Sequence, residues 1–169
     1  MRKFLNTSLV ALMALLVLSA CGFKLRGSGP QPELPFKTIF LGFGEMSPLG
    51  VQLRRNLNAR GNVQVVPDRK QAEAVLEVIG ESKDKQVLSL NSQGRVREYT
   101  LLYRLNFRVV DNQGRQLLAP NEVVIRRIQS YNEIQALAKE VEEAQMYQEM
   151  QTDLVQQVLR RISAIKPPG

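Results

Sequence analysis

The 169-residue sequence contains no histidine, no tryptophan and only one cysteine, Cys21. Without histidine the chain has no Ser-His-Asp triad and no Cys-His pair, and it lacks the commonest protein ligand of zinc. One cysteine allows neither a disulfide within the chain nor a cysteine cage for a metal. Carboxylate pairs are the remaining route to catalysis, so an enzyme of this sequence would have a narrow choice of chemistry.

Long apolar runs are also scarce. One run covers ten residues, Leu9 to Leu18, and follows two basic residues near the start of the chain. A helix needs about 20 apolar residues to cross a ~30 Å hydrocarbon core, so this run favours a signal peptide over a membrane span. It ends in Leu18-Ser19-Ala20-Cys21, where leucine and two small residues precede cysteine. That order is the pattern read by the bacterial lipoprotein signal peptidase.

We therefore predict a lipoprotein signal peptide over residues 1–20, with Cys21 as the acylated first residue of the mature chain. Cys21 would carry S-diacylglycerol and an N-acyl group, and we expect no other cofactor. Two or more acyl chains make anchoring stable, and Gly22 in place of aspartate after the cysteine favours the outer membrane. Three glycines and three prolines between Gly22 and Pro35 predict an extended tether over residues 21–36.

The formal net charge of the whole sequence is +7. A basic balance favours an anionic partner, such as a phospholipid headgroup or a phosphorylated glycolipid. Nucleic acid has the right charge, but an exported protein rarely meets it, so we expect no nucleic-acid partner.

Hydrophobic periodicity predicts one domain over residues 37–166, followed by a short tail at 167–169. Ser47-Pro48 is a helix start signal and Gly61 is a helix stop signal, which predicts a helix over residues 48–60. The remaining elements are expected as strands at 38–42, 71–90, 98–109 and 122–131 and a helix at about 134–165.

Two patterns decide the expected fold class. Apolar and polar residues alternate from Glu98 to Val109, which predicts a strand with one covered face and one wet face. Apolar residues recur every three or four positions from Val141 to Ile165, which predicts a helix with one buried stripe. Together they predict an α+β two-layer sandwich, with two helices packed on one face of a four-stranded, mixed and mainly antiparallel sheet. The other sheet face should be polar and basic.

The central hairpins are rich in arginine and contain few acids. The first hairpin contains one acid, Glu98, and four arginines, and three further arginines follow in the sequence. The seven arginines are Arg95, Arg97, Arg104, Arg108, Arg115, Arg126 and Arg127. Guanidinium groups match phosphate oxygens in a bidentate manner, so one interpretation is a surface for a phosphorylated headgroup. The other is a solvated sheet face whose charges discourage pairing with another sheet.

Lys139 is the only base among six acids between Glu133 and Asp153. It is either a ligand contact or an ordinary exposed lysine that pairs with Glu142 or Glu143 one turn away. The acids Glu140, Glu142 and Glu143 are neighbours on one helix and do not converge on one substrate atom. We therefore predict no catalytic residue and no metal site.

Two segments resemble a known family. Cys21-Gly22-Phe23-Lys24-Leu25-Arg26-Gly27, directly after the lipoprotein cleavage pattern, resembles the mature start of the LPS-assembly lipoproteins of the LptE (RlpB) family. The run Ala136-Leu137-Ala138-Lys139-Glu140 is similar to the family's C-terminal helix, as are the later Glu143, Met150, Asp153 and Leu159-Arg160-Arg161-Ile162. The resemblance covers nearly all of the mature chain.

The resemblance implies a fold of two helices on a four-stranded sheet, and a role without catalysis. It implies an outer-membrane lipoprotein that plugs the lumen of the β-barrel LptD from the periplasmic side and assists the assembly of that barrel. It also implies that the protein binds lipopolysaccharide and helps to deliver it to the cell surface. Arg95 and Lys139 match the family's basic contacts to lipopolysaccharide, and Arg97 is a further candidate beside Arg95.

Two other functions stay open at the level of sequence. One is an accessory lipoprotein that carries phospholipid across the periplasm, and a stable complex with one large barrel would argue against it. The other is a hydrolase of envelope polymers that uses two carboxylates. The lack of histidine and the scattered acids count against the hydrolase.

Overall fold

A computed structural model describes residues 34–166 of the chain. The predicted signal peptide, the acylated Cys21, most of the tether and the tail at 167–169 lie outside the described residues. Within residues 34–166, no helix is both long enough and apolar enough to cross a membrane.

The first helix, α1, spans Pro48–Arg60, as the sequence predicts. The Ser47 side chain accepts a hydrogen bond from the Gly50 backbone N–H at 3.1 Å, and proline occupies the first helical position, where no N–H is needed. Gly61 ends the helix with a φ of 73°, a left-handed conformation that costs glycine little. The apolar residues Leu49, Leu53 and Leu57 are buried.

The sheet has five strands: β1 Thr38–Gly42, β2 Gln64–Val65, β3 Ala74–Leu90, β4 Val96–Asp111 and β5 Gln116–Ser130. Their order is β2-β1-β3-β4-β5, with β1 parallel to both of its neighbours and the other pairs antiparallel. The predicted sheet was mixed and mainly antiparallel, which is confirmed, but the expected count of four omitted β2. A two-residue strand is too short to produce any periodicity.

Three strands begin elsewhere than the sequence predicts, and the smallest change is in β4, which starts at Val96 rather than at residue 98. Strand β3 starts at Ala74 rather than at residue 71, because Arg69–Gln71 forms a 3-10 turn capped by Asp68. Strand β5 starts at Gln116 rather than at residue 122. Its pairing with β4 is irregular between Leu118 and Asn121, where Pro120 falls. Proline has no N–H to donate to a ladder, and the bulge accommodates it without ending the strand.

The last helix, α2, spans Ala136–Ser163 and runs parallel to α1 on the same sheet face. Side-chain hydrogen bonds join Gln52 to Thr152 at 3.0 Å and Arg60 to Ser163 at 3.3 Å, so α1 lies beside only the second half of α2. The buried residues of α2 accordingly begin at Met150. The predicted buried stripe was wrong in its first part, because Val141 is 72% exposed where no second helix accompanies α2.

The sheet face opposite the helices is not the basic surface that the sequence predicts. At one end it is covered by a small apolar cluster that contains Val66, Ala72, Val75 and Val110. Further along, the arginines are paired across strands, since Arg108 lies 2.6 Å from Glu77 and Arg104 forms an ion pair with Asp84. Strand β3 therefore supplies carboxylates that neutralise the arginines of β4.

Candidate functional site

The two hairpin turns of the sheet share one five-residue design. In the turn between β3 and β4, the Asn91 Oδ1 accepts the backbone N–H groups of Gln93 and Arg95 at 3.0 and 2.9 Å. In the turn between β4 and β5, Asp111 Oδ1 accepts the equivalent N–H groups of Gln113 and Arg115. Each turn has glycine at its fourth position with a φ near 75–85°, and each ends in arginine.

The turns differ at their first two positions, and the first of these, Asn91 against Asp111, bears on where each arginine points. Asp111 is a carboxylate, and its second oxygen accepts Arg115 Nε at 2.6 Å, so that guanidinium folds back on its own turn. Although burial alone would raise it, the pKa of Asp111 is lowered by Arg115 and by the backbone N–H groups of the turn. Asn91 is neutral and accepts no guanidinium N–H among residues 34–166, and Arg95 instead extends towards Glu133.

Arg95 and Arg97 line one open cavity of about 300 Å³ at the tip of the sheet. Its other lining residues come from the first turn, the start of β4 and the segment after β5: Asn91, Val96, Tyr131, Asn132, Glu133 and Ile134. Two guanidinium groups, two amides and apolar side chains therefore meet at one opening. This composition suits a ligand that carries both phosphate and apolar groups.

The cavity also contains a carboxylate. Arg95 Nη1 lies 3.5 Å from Glu133 Oε2, and both side chains are more than half exposed. An exposed pair of this kind contributes about 0–1 kcal/mol and is readily exchanged for another anion. Among residues 34–166, Arg97 has no carboxylate partner within ion-pair distance.

Lys139 does not line this cavity. It lies in the first turn of α2, where its ammonium group donates to Ser130 Oγ at 3.1 Å and to Glu142 Oε2 at 2.7 Å. Its side chain is only 16% exposed, and the buried Gln129 fixes its backbone by donating to the Lys139 carbonyl at 2.8 Å. The structure thus brings Arg95 and Arg97 together in the cavity. It places Lys139 outside the cavity, beside Ser130, and pairs it with Glu142, as the spacing of three residues along the helix allows.

Sequence reasoning missed Tyr131, Glu133 and Ile134 as parts of the site. They enter it because the Tyr131 N–H donates to the Arg97 carbonyl at 2.8 Å, which sets the end of β5 beside the start of β4. Near the second turn Val110 pairs with Gln116. If the two strands kept that register along their whole length, Gln129 would lie opposite Arg97 instead of Tyr131. The bulges near Pro120 shift the pairing by two residues, and no local sequence signal gives the size of such a shift.

The uncovered first half of α2 is attached to the sheet by lysine and tyrosine side chains. Lys85 Nζ lies 2.6 Å from Glu143 Oε2 and 4.2 Å from the centre of the Tyr99 ring. Lys83 lies over the rings of Tyr103 and Tyr147. Burial raises the pKa of Tyr103, and the hydrogen bond that its hydroxyl donates to the Glu81 carboxylate raises this pKa further. These contacts hold the helix that carries Lys139 against the hairpin that carries Arg95.

Residues 34–166 contain no cluster of three or more histidine, cysteine, aspartate or glutamate side chains arranged to hold a metal ion. The charged side chains at the cavity are those of Arg95, Arg97 and Glu133.

The fold is shared with solved bacterial lipoproteins. Lipoprotein B from Nitrosomonas europaea is similar with a TM-score of 0.71 and 36% identity, over 85% of this chain and 91% of that chain. The rare lipoprotein B from Shewanella oneidensis has a TM-score of 0.66 and 28% identity, over 76% of this chain and 95% of that chain. Two helices on one face of a mixed sheet thus place this chain in a class of bacterial lipoprotein domains.

Sequence comparison identifies the family within that class. The family model LptE, described as lipopolysaccharide-assembly, matches residues 36–162. The LPS-assembly lipoprotein LptE of Yersinia enterocolitica serotype O:8 / biotype 1B is 32% identical over 155 residues, which are 90% of this chain and 73% of the relative. The protein of the same name from Yersinia pestis (strain Pestoides F) is 30% identical over 166 residues. The chain therefore belongs to the LptE family of lipopolysaccharide-assembly lipoproteins, which confirms the resemblance and the α+β fold class.

Proposed function

We propose that this chain is an outer-membrane lipoprotein, anchored through Cys21, that binds lipopolysaccharide and forms a complex with the barrel LptD. In that complex it plugs the barrel lumen, assists assembly of the barrel and helps to deliver lipopolysaccharide to the cell surface. Membership of the LptE family supports the general role. The observation that carries the binding proposal is the cavity shared by Arg95 and Arg97.

The chemistry of the cavity fits phosphorylated glycolipid. Phosphate groups on the ligand would replace the exposed Glu133 carboxylate as the partner of Arg95. They would meet Arg97 directly, since it has no ion pair among residues 34–166. Val96 and the 92% exposed Ile134 offer apolar surface at the same opening. Lys139, held beside Ser130, would contribute positive charge from the neighbouring turn of α2.

The arrangement suggests how single lipid molecules are released from aggregates. Lipopolysaccharide molecules are held together by divalent cations that bridge their phosphates. Fixed arginine and lysine groups neutralise the same phosphates without joining two molecules. A tethered domain with these groups at its tip would exchange bridging cations for protein contacts and pass single molecules to the barrel.

The test is purification of the tagged, full-length chain from outer membranes in detergent, followed by measurement of bound barrel and bound lipopolysaccharide. We expect a stoichiometric complex with one large barrel. The double variant Arg95→Glu with Lys139→Glu should lower bound lipopolysaccharide about ten-fold or more, since two charge-assisted contacts become repulsive. The barrel should remain bound to this variant.

The matched control is Arg126→Glu, which reverses an exposed arginine on the sheet face opposite the helices. It should bind lipopolysaccharide as the unmodified chain does. Recovery of the chain without a barrel would contradict the complex and favour a phospholipid-transport role. Unchanged lipopolysaccharide binding by the folded double variant would contradict the binding site.

A further inference from the structure

Two pairs of tyrosine rings meet edge to face among residues 34–166. The ring centres of Tyr103 and Tyr147 are 6.5 Å apart at an interplanar angle of 78°. Those of Tyr99 and Tyr131 are 5.2 Å apart at 79°. Both hydroxyls of the first pair donate hydrogen bonds to β3, so these rings serve the attachment of α2 to the sheet. Within the same residues the Tyr131 hydroxyl has no hydrogen-bond partner, and Tyr131 instead lines the arginine-lined cavity at the tip of the sheet.

The half-buried Tyr131 is held firmly in place. Its backbone N–H donates to the Arg97 carbonyl at 2.8 Å, and its ring packs against the edge of Tyr99. Lys85 Nζ lies 4.2 Å from the centre of the Tyr99 ring and 5.8 Å from that of Tyr131, within the range of cation–π attraction. A ring fixed by these contacts loses little conformational freedom when a ligand lies against it, which lowers the entropic cost of binding.

The amide groups of the cavity are arranged as donors. Asn91 Oδ1 accepts two backbone N–H groups of its turn, and Asn132 Oδ1 accepts the Ile134 N–H at 3.1 Å. Both amide oxygens are therefore used, whereas neither amide nitrogen donates a hydrogen bond in the part of the chain that the structure describes. Together with the two guanidinium groups, these amides favour a ligand rich in oxygen acceptors, and the Glu133 carboxylate can accept a ligand hydroxyl.

The volume of the cavity suits one ring-sized group with its phosphate. It measures about 300 Å³, at the lower limit for small-molecule sites. A pyranose ring presents C–H groups on its faces and oxygens around its rim. The C–H groups pack against the electron-rich face of an aromatic ring, while the rim oxygens accept hydrogen bonds from amides. The headgroup of phosphatidylglycerol carries phosphate without a ring, so an aromatic side chain is the feature that separates the two classes of lipid.

We propose that Tyr131 is the platform on which the phosphorylated sugar of a glycolipid headgroup stacks. Asn91 and Asn132 donate hydrogen bonds to the sugar oxygens, and the guanidinium groups of Arg95 and Arg97 bind its phosphate. This inference rests on the proposed function and names the part of the ligand that the cavity recognises. The guanidinium groups bind the phosphate of either class of lipid and supply affinity, whereas Tyr131 supplies the selectivity for a phosphorylated sugar.

The experiment compares three probes on the full-length chain in detergent: labelled lipopolysaccharide, its de-acylated, water-soluble headgroup, and phosphatidylglycerol in mixed micelles. Tyr131→Leu removes the ring and keeps an apolar side chain, and it should lower the affinity for the first two probes about five- to ten-fold without changing the third. Tyr131→Phe keeps the ring and should retain most of the affinity. The matched control is Tyr147→Leu, which removes a ring from the other tyrosine pair and should leave all three affinities unchanged. Arg95→Glu should lower all three.

A second measurement does not depend on the folding of Tyr131→Leu. Because the chain contains no tryptophan, Tyr131→Trp introduces a single indole at the proposed platform. Its fluorescence emission should change when the de-acylated headgroup is added. The control Met46→Trp places the indole at a position that is 91% exposed and outside the cavity, and its emission should stay constant. Constant emission from Tyr131→Trp in a chain that binds lipopolysaccharide would overturn the inference.

The comparison of probes separates this inference from the proposed function. Unchanged lipopolysaccharide binding by folded Tyr131→Leu, with a loss in Arg95→Glu, would overturn the sugar platform and leave the proposed function intact. Equal losses for lipopolysaccharide and phosphatidylglycerol in Tyr131→Leu would also overturn it, because the ring would then act only by holding Arg97 in place. An unmodified chain that bound no lipopolysaccharide would contradict the proposed function and the platform together.

Discussion

Arg95 and Glu133 face each other across the tip cavity with 3.5 Å between the guanidinium nitrogen and the carboxylate oxygen. Because a ligand phosphate must displace this carboxylate, Glu133→Gln should strengthen lipopolysaccharide binding. The expected gain in affinity is roughly two- to five-fold, which corresponds to the free energy of an exposed ion pair. Equilibrium binding of labelled lipopolysaccharide to the purified chain measures the change. Glu140→Gln removes an acid from the nearby helix without touching the cavity and is the control. Weaker binding by Glu133→Gln would show that the carboxylate positions Arg95 for the ligand.

The two sheet turns provide an internal comparison for Asn91. Asn91→Asp gives the first turn the carboxylate that holds Arg115 in the second. Arg95 should then fold back on its own turn, and lipopolysaccharide binding should fall several-fold while the fold is preserved. The matched control is Asp111→Asn, which frees Arg115 at the other end of the sheet and should leave binding unchanged. Equal binding by Asn91→Asp would mean that the direction of Arg95 is set elsewhere.

Lys85 and Glu143 attach the first half of α2 to the hairpin. Their charged groups are two-thirds or more buried, and Lys85 also lies over the Tyr99 ring. A double-mutant cycle with Lys85→Met and Glu143→Gln should give a coupling free energy of about 1 kcal/mol, measured by urea unfolding. Hydrogen exchange should quicken in the first half of α2 and not in α1. No coupling, or a uniform change in exchange, would show that this half is held by other contacts.

Glu77 should make stability depend on acid pH. Hydrogen bonds from Arg108 and Arg69 lower the pKa of Glu77. A carboxyl whose pKa is lower in the folded state stabilises the fold above its unfolded pKa of about 4.3, and this contribution is lost as pH falls through the folded pKa. Glu77→Gln should therefore unfold more easily at neutral pH and show a shallower loss of stability below pH ~4.

The control for this prediction is Glu45→Gln, which changes an exposed carboxylate that has no ion pair among residues 34–166. Thermal unfolding followed between neutral and acid pH should show the same slope for this variant and the unmodified chain. Identical slopes for Glu77→Gln and Glu45→Gln would contradict the role of the Arg108 and Arg69 contacts.

Local sequence signals were sufficient for elements whose limits are set by their own residues. Helix α1 starts and ends where Ser47, Pro48 and Gly61 predict, because capping hydrogen bonds, the fixed φ of proline and the left-handed glycine act within a few residues. The odd residues of β4 from Leu101 to Val109 are buried as their alternation predicts. The arginine-rich hairpin was visible in the same way, since Arg95 and Arg97 sit on either side of the first residue of β4.

Elements that depend on a distant partner were predicted less well. The exposed Val141 lies in a stripe as regular as that of Leu154, and only the place where α1 lies beside α2 separates the covered half from the uncovered one. Likewise, the neutralised face of β4 required Glu77 and Asp84 to arrive from β3. Amphipathic spacing shows which side of a helix is apolar, but it does not show whether another element covers that side.

The sequence by itself determined the family, the α+β class, the boundaries of α1 and the two turns that display arginine, because these follow from residues close together in the chain. Only the tertiary structure decided that Arg95 and Arg97 share a cavity with Glu133 while Lys139 is paired beside it. The register of β5, shifted by bulges near Pro120, sets that arrangement. Strand register is set by many contacts between residues that are distant in sequence, so it is determined only when the whole sheet is assembled.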